Sequence, residues 1–187
     1  MNATGETERL ADLQKLSGLS EHMDAEAFLP FRSEEITAAD TPHRYVQLSQ
    51  LAYDLGETLI SSGVCDTKRL TAAGGLGYYG RYLRAGELVF FVSFDSVAWH
   101  AHRLSPLWLR FDQNAPTAVV AALRANRIPL SDVPIVVDKD RRVLIPLYVE
   151  VGQERPQIIQ GLAEQAIHAL TAINAYIASM APIEPAV

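Results

Sequence analysis

The chain has 187 residues, 49% hydrophobic, 20% charged and 8% aromatic, which suits one folded domain and excludes collagenous, disulfide-rich and wholly disordered classes. A formal charge of -6 disfavours nucleic acid as a partner, because binding it depends on neutralising phosphates. The single cysteine, Cys65, rules out an intrachain disulfide, argues against a cysteine-based zinc site and points to a cytoplasmic address.

Residues 1–40 read as a peripheral arm, either laid over the surface or partly disordered. Its opening stretch, Met1 to Leu19, carries acids and lacks the apolar core of a secretory leader. Leu10, Leu13 and Leu16 would share one side of a short helix there, whereas Pro30 and the charged and small residues from Arg32 to Asp40 break any regular pattern.

A single α+β domain is expected over residues 41–180, followed by a loose tail at 181–187. It opens with a helix: Pro42 suits a first turn behind Asp40 or Thr41 as cap, Leu48, Leu51, Ala52, Leu55 and Leu59 make one stripe, and Gly63 is the stop. From Tyr78 the apolar period changes to two. Strands are expected at Tyr78–Leu83, Leu88–Phe94 and Leu107–Phe111, with a tight turn at Ala85-Gly86 and a connection through Trp99. The longest apolar run, Leu88 to Val92, is strand-sized and far below the roughly 18–20 residues of a membrane span, so no membrane partner is expected.

A second helix opens at Asn114–Pro116 with Val119, Val120 and Leu123 inward, and a hairpin pairs Pro134–Val137 with Val143–Val149 around a charged tip. Pro146 cannot donate to a ladder, which suggests an edge strand. Pro156 starts the last helix, with Ile159, Leu162, Ala163, Ala166, Leu170, Ile173 and Ile177 as its stripe. The order of elements gives an antiparallel sheet of about five strands, a meander plus a hairpin, packed against three main helices.

Several segments have the outline of a chemical motif. Gly75-Leu76-Gly77-Tyr78-Tyr79-Gly80 has the spacing of a dinucleotide fingerprint, yet a strand and not a phosphate-binding helix follows it, so no cofactor is expected. Asp66-Thr67-Lys68 has the acid-x-lysine form of metal-dependent nucleases, but no buried strand or second acid accompanies it, and a solvated turn is the simpler reading. His100 and His102 flank Ala101. In a strand they would share a face, and with Asp95 they form the set that a metal-dependent hydrolase or nuclease would use. Further ligands are not evident, so no metal is expected.

Tyr78, Tyr79, Tyr82, Phe90, Phe91, Phe94, Trp99, Trp108 and Phe111 lie close together and are interleaved with Arg81, Arg84, Arg103 and Arg110. Rings beside guanidinium groups can grip a partner or stack a flat ligand; the same residues also suit a sheet core with arginines at its margins. The expected binding face comprises Tyr79, Arg81, Trp99, Arg103, Trp108 and Arg110.

Gly77-Tyr78-Tyr79-Gly80-Arg81-Tyr82-Leu83, then Leu88–Val92, Trp99 and Ser105-Pro106-Leu107-Trp108-Leu109-Arg110-Phe111, resemble the C-terminal accessory half of uncharacterised bacterial PD-(D/E)XK-nuclease-like proteins. The resemblance covers about residues 77–111. In that family the nuclease motif lies in a long N-terminal half, and no catalytic residue carries over onto a position here. The resemblance therefore implies a noncatalytic binding or regulatory module, acting on a partner protein or small ligand. Self-association is a further expectation, from the edge strand and from the outer alanines Ala169, Ala172 and Ala175 of the last helix.

Overall fold

The computed structural model describes residues 40–67, 72–130 and 133–180. The arm at 1–39 and the tail at 181–187 lie outside the described residues, as does Lys68. The described residues from Pro42 onward belong to one compact unit, which holds the sheet.

In chain order the described elements are α1 (Asp40–Ser61), β1 (Ala72–Gly75), β2 (Tyr78–Ala85), β3 (Leu88–Asp95), α2 (Ser96–His102), β4 (Leu107–Phe111), α3 (Thr117–Arg124), β5 (Val136–Val137), β6 (Val143–Leu147) and α4 (Arg155–Met180). The fold is α+β. Its antiparallel sheet has six strands in the order β1-β2-β3-β4-β6-β5. Among the described residues no helix is long and apolar enough to cross a membrane.

Strand β1 is the one the alternation rule misses, because Gly74 and Gly75 carry no side chains to alternate. It pairs with β2 through a two-residue turn in which Gly77 takes a φ of 78°. The next turn is Gly86-Glu87, one residue later than expected, with Gly86 at a φ of 61°. At Gly80 the backbones of β2 and β3 come so close that a Cβ would lie 2.0 Å from the Val92 carbonyl oxygen. The connection through Trp99 is the short helix α2. Asp95 caps it, its carboxylate accepting from the Ala98 N–H at 2.8 Å.

Side-chain parity gives the sheet two unlike faces. Leu83, Phe90, Val92, Phe94, Leu107, Leu109, Phe111, Val143, Ile145 and Leu147 point to one face and form a single core with Leu51, Leu55 and Leu59 of α1, Val119 and Leu123 of α3, and Leu162, Leu170 and Ile173 of α4. Burying each such side chain contributes about 1.5–3 kcal/mol before entropy is counted. The opposite face carries Tyr78 and Tyr82 of β2, Phe91 and Ser93 of β3, Trp108 and Arg110 of β4, and Leu144 and Pro146 of β6. There Ala98 of α2 packs with Trp108 and Leu144.

Pro146 is not on the last strand, since β6 lies between β4 and β5. The two residues of β5 pair only with Val143 and Leu144, however, so among the described residues no strand lies beside Pro146 on that side. The ladder loses nothing to the missing N–H.

Candidate ligand-binding site

Strand β4 is buried along its whole length, yet it carries a cation. Sending Leu107, Leu109 and Phe111 into the core obliges Arg110 to point to the other face, where it is 5% exposed. Phe91 lies directly across the ladder from Arg110, and Tyr82 directly across from Phe91. The guanidinium carbon is 4.2 Å from the centroid of the Phe91 ring and 5.2 Å from that of Tyr78. Phe91 in turn packs on Tyr82 at 4.7 Å between centroids. The Phe91 and Tyr78 rings thus take up part of the desolvated charge through their negative faces.

The polar compensation of Arg110 is thin. Its Nη2 donates to the Tyr82 hydroxyl oxygen at a long 3.5 Å and lies 3.8 Å from Asp112 Oδ2. That same Oδ2 already accepts the Tyr82 O–H at 2.7 Å. Arg110 Nε and Nη1 are buried with no acceptor among the described residues. Burial pushes the Tyr82 phenol above its usual 10.0, and its hydrogen bond to Asp112 adds to the rise while Arg110 opposes it. The phenol therefore stays protonated and holds the Asp112 carboxylate, which leaves Arg110 with less than one counter-charge.

Arg110, Tyr82 and Asp112 open on a cleft of ≈ 580 Å³. Ala115, Thr117, Val120 and Arg124 line it from the segment after β4, and Asp140, Arg141 and Arg142 from the β5–β6 turn. Arg142 is tied down: its Nε donates to Asp138 Oδ2 at 2.5 Å and its Nη2 forms an ion pair with Asp140 Oδ2 at 3.0 Å. Arg124 Nη2 donates to the Arg141 carbonyl. Arg141 takes a left-handed φ of 61°, and its side chain has no carboxylate partner among the described residues. In a chain of net charge -6, the cleft is a local concentration of guanidinium groups.

The residues of the expected binding face are not brought together. Tyr79 and Arg81 stand opposite Phe94 and Val92, on the core side of the sheet, whereas Trp108 and Arg110 point the other way. The two pairs fall on opposite faces by parity, which sequence cannot reveal until the register is known. Arg81 is occupied by α1, with Tyr53 at 5.7 Å and an ion pair to Glu57. Trp108 is wholly buried, its Nε1 unpartnered and its ring 6.0 Å from that of His102. Trp99 lies on α2, 41% exposed, and Arg103 is that helix's left-handed C-cap. Of the expected residues only Arg110 reaches the cleft. Sequence reasoning misses Tyr82, Asp112, Arg124 and Arg141 there, although a charge inside the apolar strand Leu107–Phe111 is the signal that marks the place.

The alternative set of Asp95, His100 and His102 does not converge either. The two histidines are on a helix, where positions two apart point to different sides, and the Asp95 carboxylate is engaged as the helix cap. Among the described residues no group of three His, Cys, Asp or Glu side chains is arranged to hold a metal ion. Asp66 of the acid-x-lysine segment forms a backbone bridge with Arg84 at 2.9 Å in both directions. The glycine segment runs into a strand, as its period of two required.

Compared with protein-family models, with curated proteins and with solved structures, the chain matches none.

Proposed function

We propose that the chain is a noncatalytic binding or regulatory module whose ligand is a small anionic molecule taken up at the Arg110 cleft. The observation that carries this reading is the Arg110 guanidinium, 5% exposed, with two N–H-bearing nitrogens unpartnered and one shared carboxylate at 3.8 Å. A buried cation left short of acceptors is destabilising for the free protein, and an anion beside it relieves that cost. The cleft's volume of ≈ 580 Å³ falls in the range of small-ligand sites and favours a small molecule over a protein partner. The resemblance of residues 77–111 to the accessory half of nuclease-like proteins supports the noncatalytic reading, since no catalytic position carries over. A cytoplasmic setting fits the free, buried Cys65.

Thermal melts of the wild type and of Arg110→Met against a panel of small carboxylates and phosphates test the proposal. Anions are expected to raise the wild-type Tm by mass action and to leave the variant's unchanged. A panel that shifts neither protein, or both equally, overturns it.

A further inference from the structure

We infer that the group accepted at this cleft is a phosphoryl group carried on a small organic molecule, seated among Arg110, the N-terminal turn of α3 at Thr117, and the guanidinium groups of Arg124 and Arg141. The inference rests on the reading above and narrows its ligand to one class.

Charge is the first argument. Asp138 and Asp140 neutralise Arg142, and Asp112 is shared between Arg110 and the Tyr82 hydroxyl. Arg124 meets only a carbonyl, and Arg141 no carboxylate among the described residues. Asp112, Asp138 and Asp140 set against Arg110, Arg124, Arg141 and Arg142 leave the cleft region a net charge of +1, with its uncommitted donors on Arg110, Arg124 and Arg141. A carboxylate matches that charge but brings only two acceptor oxygens to three guanidinium groups; a phosphoryl group brings three strong acceptor oxygens with a charge of about -1.5 to -2 near neutral pH.

The start of α3 is the second argument. Its N-cap is Pro116, which offers no side-chain cap. The Val119 and Val120 N–H groups turn back to the Pro116 carbonyl at 3.0 and 3.1 Å. The Thr117 and Ala118 N–H groups precede the first intrahelical bonds, so they remain as donors with the positive end of the helix dipole behind them. Thr117 also lines the cleft and brings a hydroxyl. A helix start alone would not make a site; the buried, under-partnered Arg110 in the same cleft wall is the independent observation that points to an anion.

Size and lining point to the same class. A cavity of ≈ 580 Å³ exceeds what one phosphate ion fills, and Ala115, Val120 and the Tyr82 ring give the remainder an apolar side suited to an organic body. Asp112 and Asp140 stand in the same lining and repel a long polyanion, so the ligand is a compact phosphate ester and not a nucleic-acid backbone.

Calorimetric titration of the full chain at low ionic strength, in a phosphate-free buffer, tests the class with phenyl phosphate, benzoate and inorganic phosphate as probes. Phenyl phosphate is expected to bind more tightly than either of the others by about tenfold or more. The double variant Arg124→Gln/Arg141→Gln, at exposed positions, should keep the wild-type melt and lose that preference, while Arg110→Met loses binding of all three. Benzoate binding as tightly as phenyl phosphate through Arg110 overturns the phosphoryl class and leaves the anion site standing. Phenyl phosphate binding that ignores the double variant overturns the placement. No binding by any probe overturns both readings.

Discussion

The guanidinium of Arg110 lies 4.2 Å from the centre of the Phe91 ring, its partner directly across the β3–β4 ladder. The pairing explains how a cation survives inside a buried strand. Ring faces replace part of its hydration, and one shared carboxylate meets part of the remaining demand. Replacing such a cation with an apolar side chain of similar length removes the desolvation cost. Arg110→Met is therefore expected to unfold at the same urea concentration as the wild type or higher, while Phe91→Ala loses about 3–5 kcal/mol in the same experiment. A large loss for Arg110→Met would mean that the arginine serves the fold and not a ligand.

Two glycines should respond in opposite directions. Gly80→Ala would put a Cβ 2.0 Å from the Val92 carbonyl oxygen and 2.8 Å from the Ser93 Cα, both backbone atoms that cannot move without opening the β2–β3 ladder. A destabilisation of about 1–3 kcal/mol or more is expected. Gly161 lies within α4, where an added Cβ would meet nothing within 4 Å, so Gly161→Ala should stabilise by about 0.5–1 kcal/mol. Urea denaturation of the two variants beside the wild type reads both signs at once.

Much of this fold is legible in the sequence. The stripes of α1 and α4, the strands from Tyr78 onward and the antiparallel α+β class follow from apolar period and turn residues. Strand β1 is not legible, because its glycines have no side chains with which to alternate. Helix α2 escapes notice for a different reason: Ser96–His102 is too short to show a helical period, and its Asp95 cap follows directly on the strand expected at Leu88–Phe94. The site is legible only as ingredients. Arginines and rings are evident, but which of them meet is decided by register, and register divides Arg81 from Arg110.

Asp95 supplies a test of its structural role. As the cap of α2 it accepts from the Ala98 N–H at 2.8 Å, and Asn serves as well as Asp at such a position. Asp95→Ala should cost about 1 kcal/mol and Asp95→Asn only a few tenths, measured by chemical denaturation. Equal losses for the two substitutions would contradict the capping role.

Alkaline pH should weaken the fold through two groups. Burial, with a smaller contribution from Asp66, pushes the Cys65 thiol from 9.0 to about 12, and the Tyr82 phenol is likewise raised above 10.0. Below the lower of these values both states keep their protons and pH has no effect through them. As pH climbs beyond 9.0 the unfolded chain releases the Cys65 proton first, so stability falls until the folded thiol ionises near about 12. Tyr82 has the same sign and enters above 10.0. Denaturation midpoints should decline through this range, less steeply in Cys65→Ala and in Tyr82→Phe. A pH-independent midpoint would contradict the burial of both groups.

The most direct test of the anion site is a nitrogen–proton NMR titration that follows the arginine side-chain signals as phenyl phosphate is added. The Arg110, Arg124 and Arg141 signals are expected to move together and saturate at one equivalent, while those of Arg81 and Arg155, paired with Glu57 and Asp54, stay in place. An Arg110 signal that stays unchanged while surface arginines drift without saturation would contradict it.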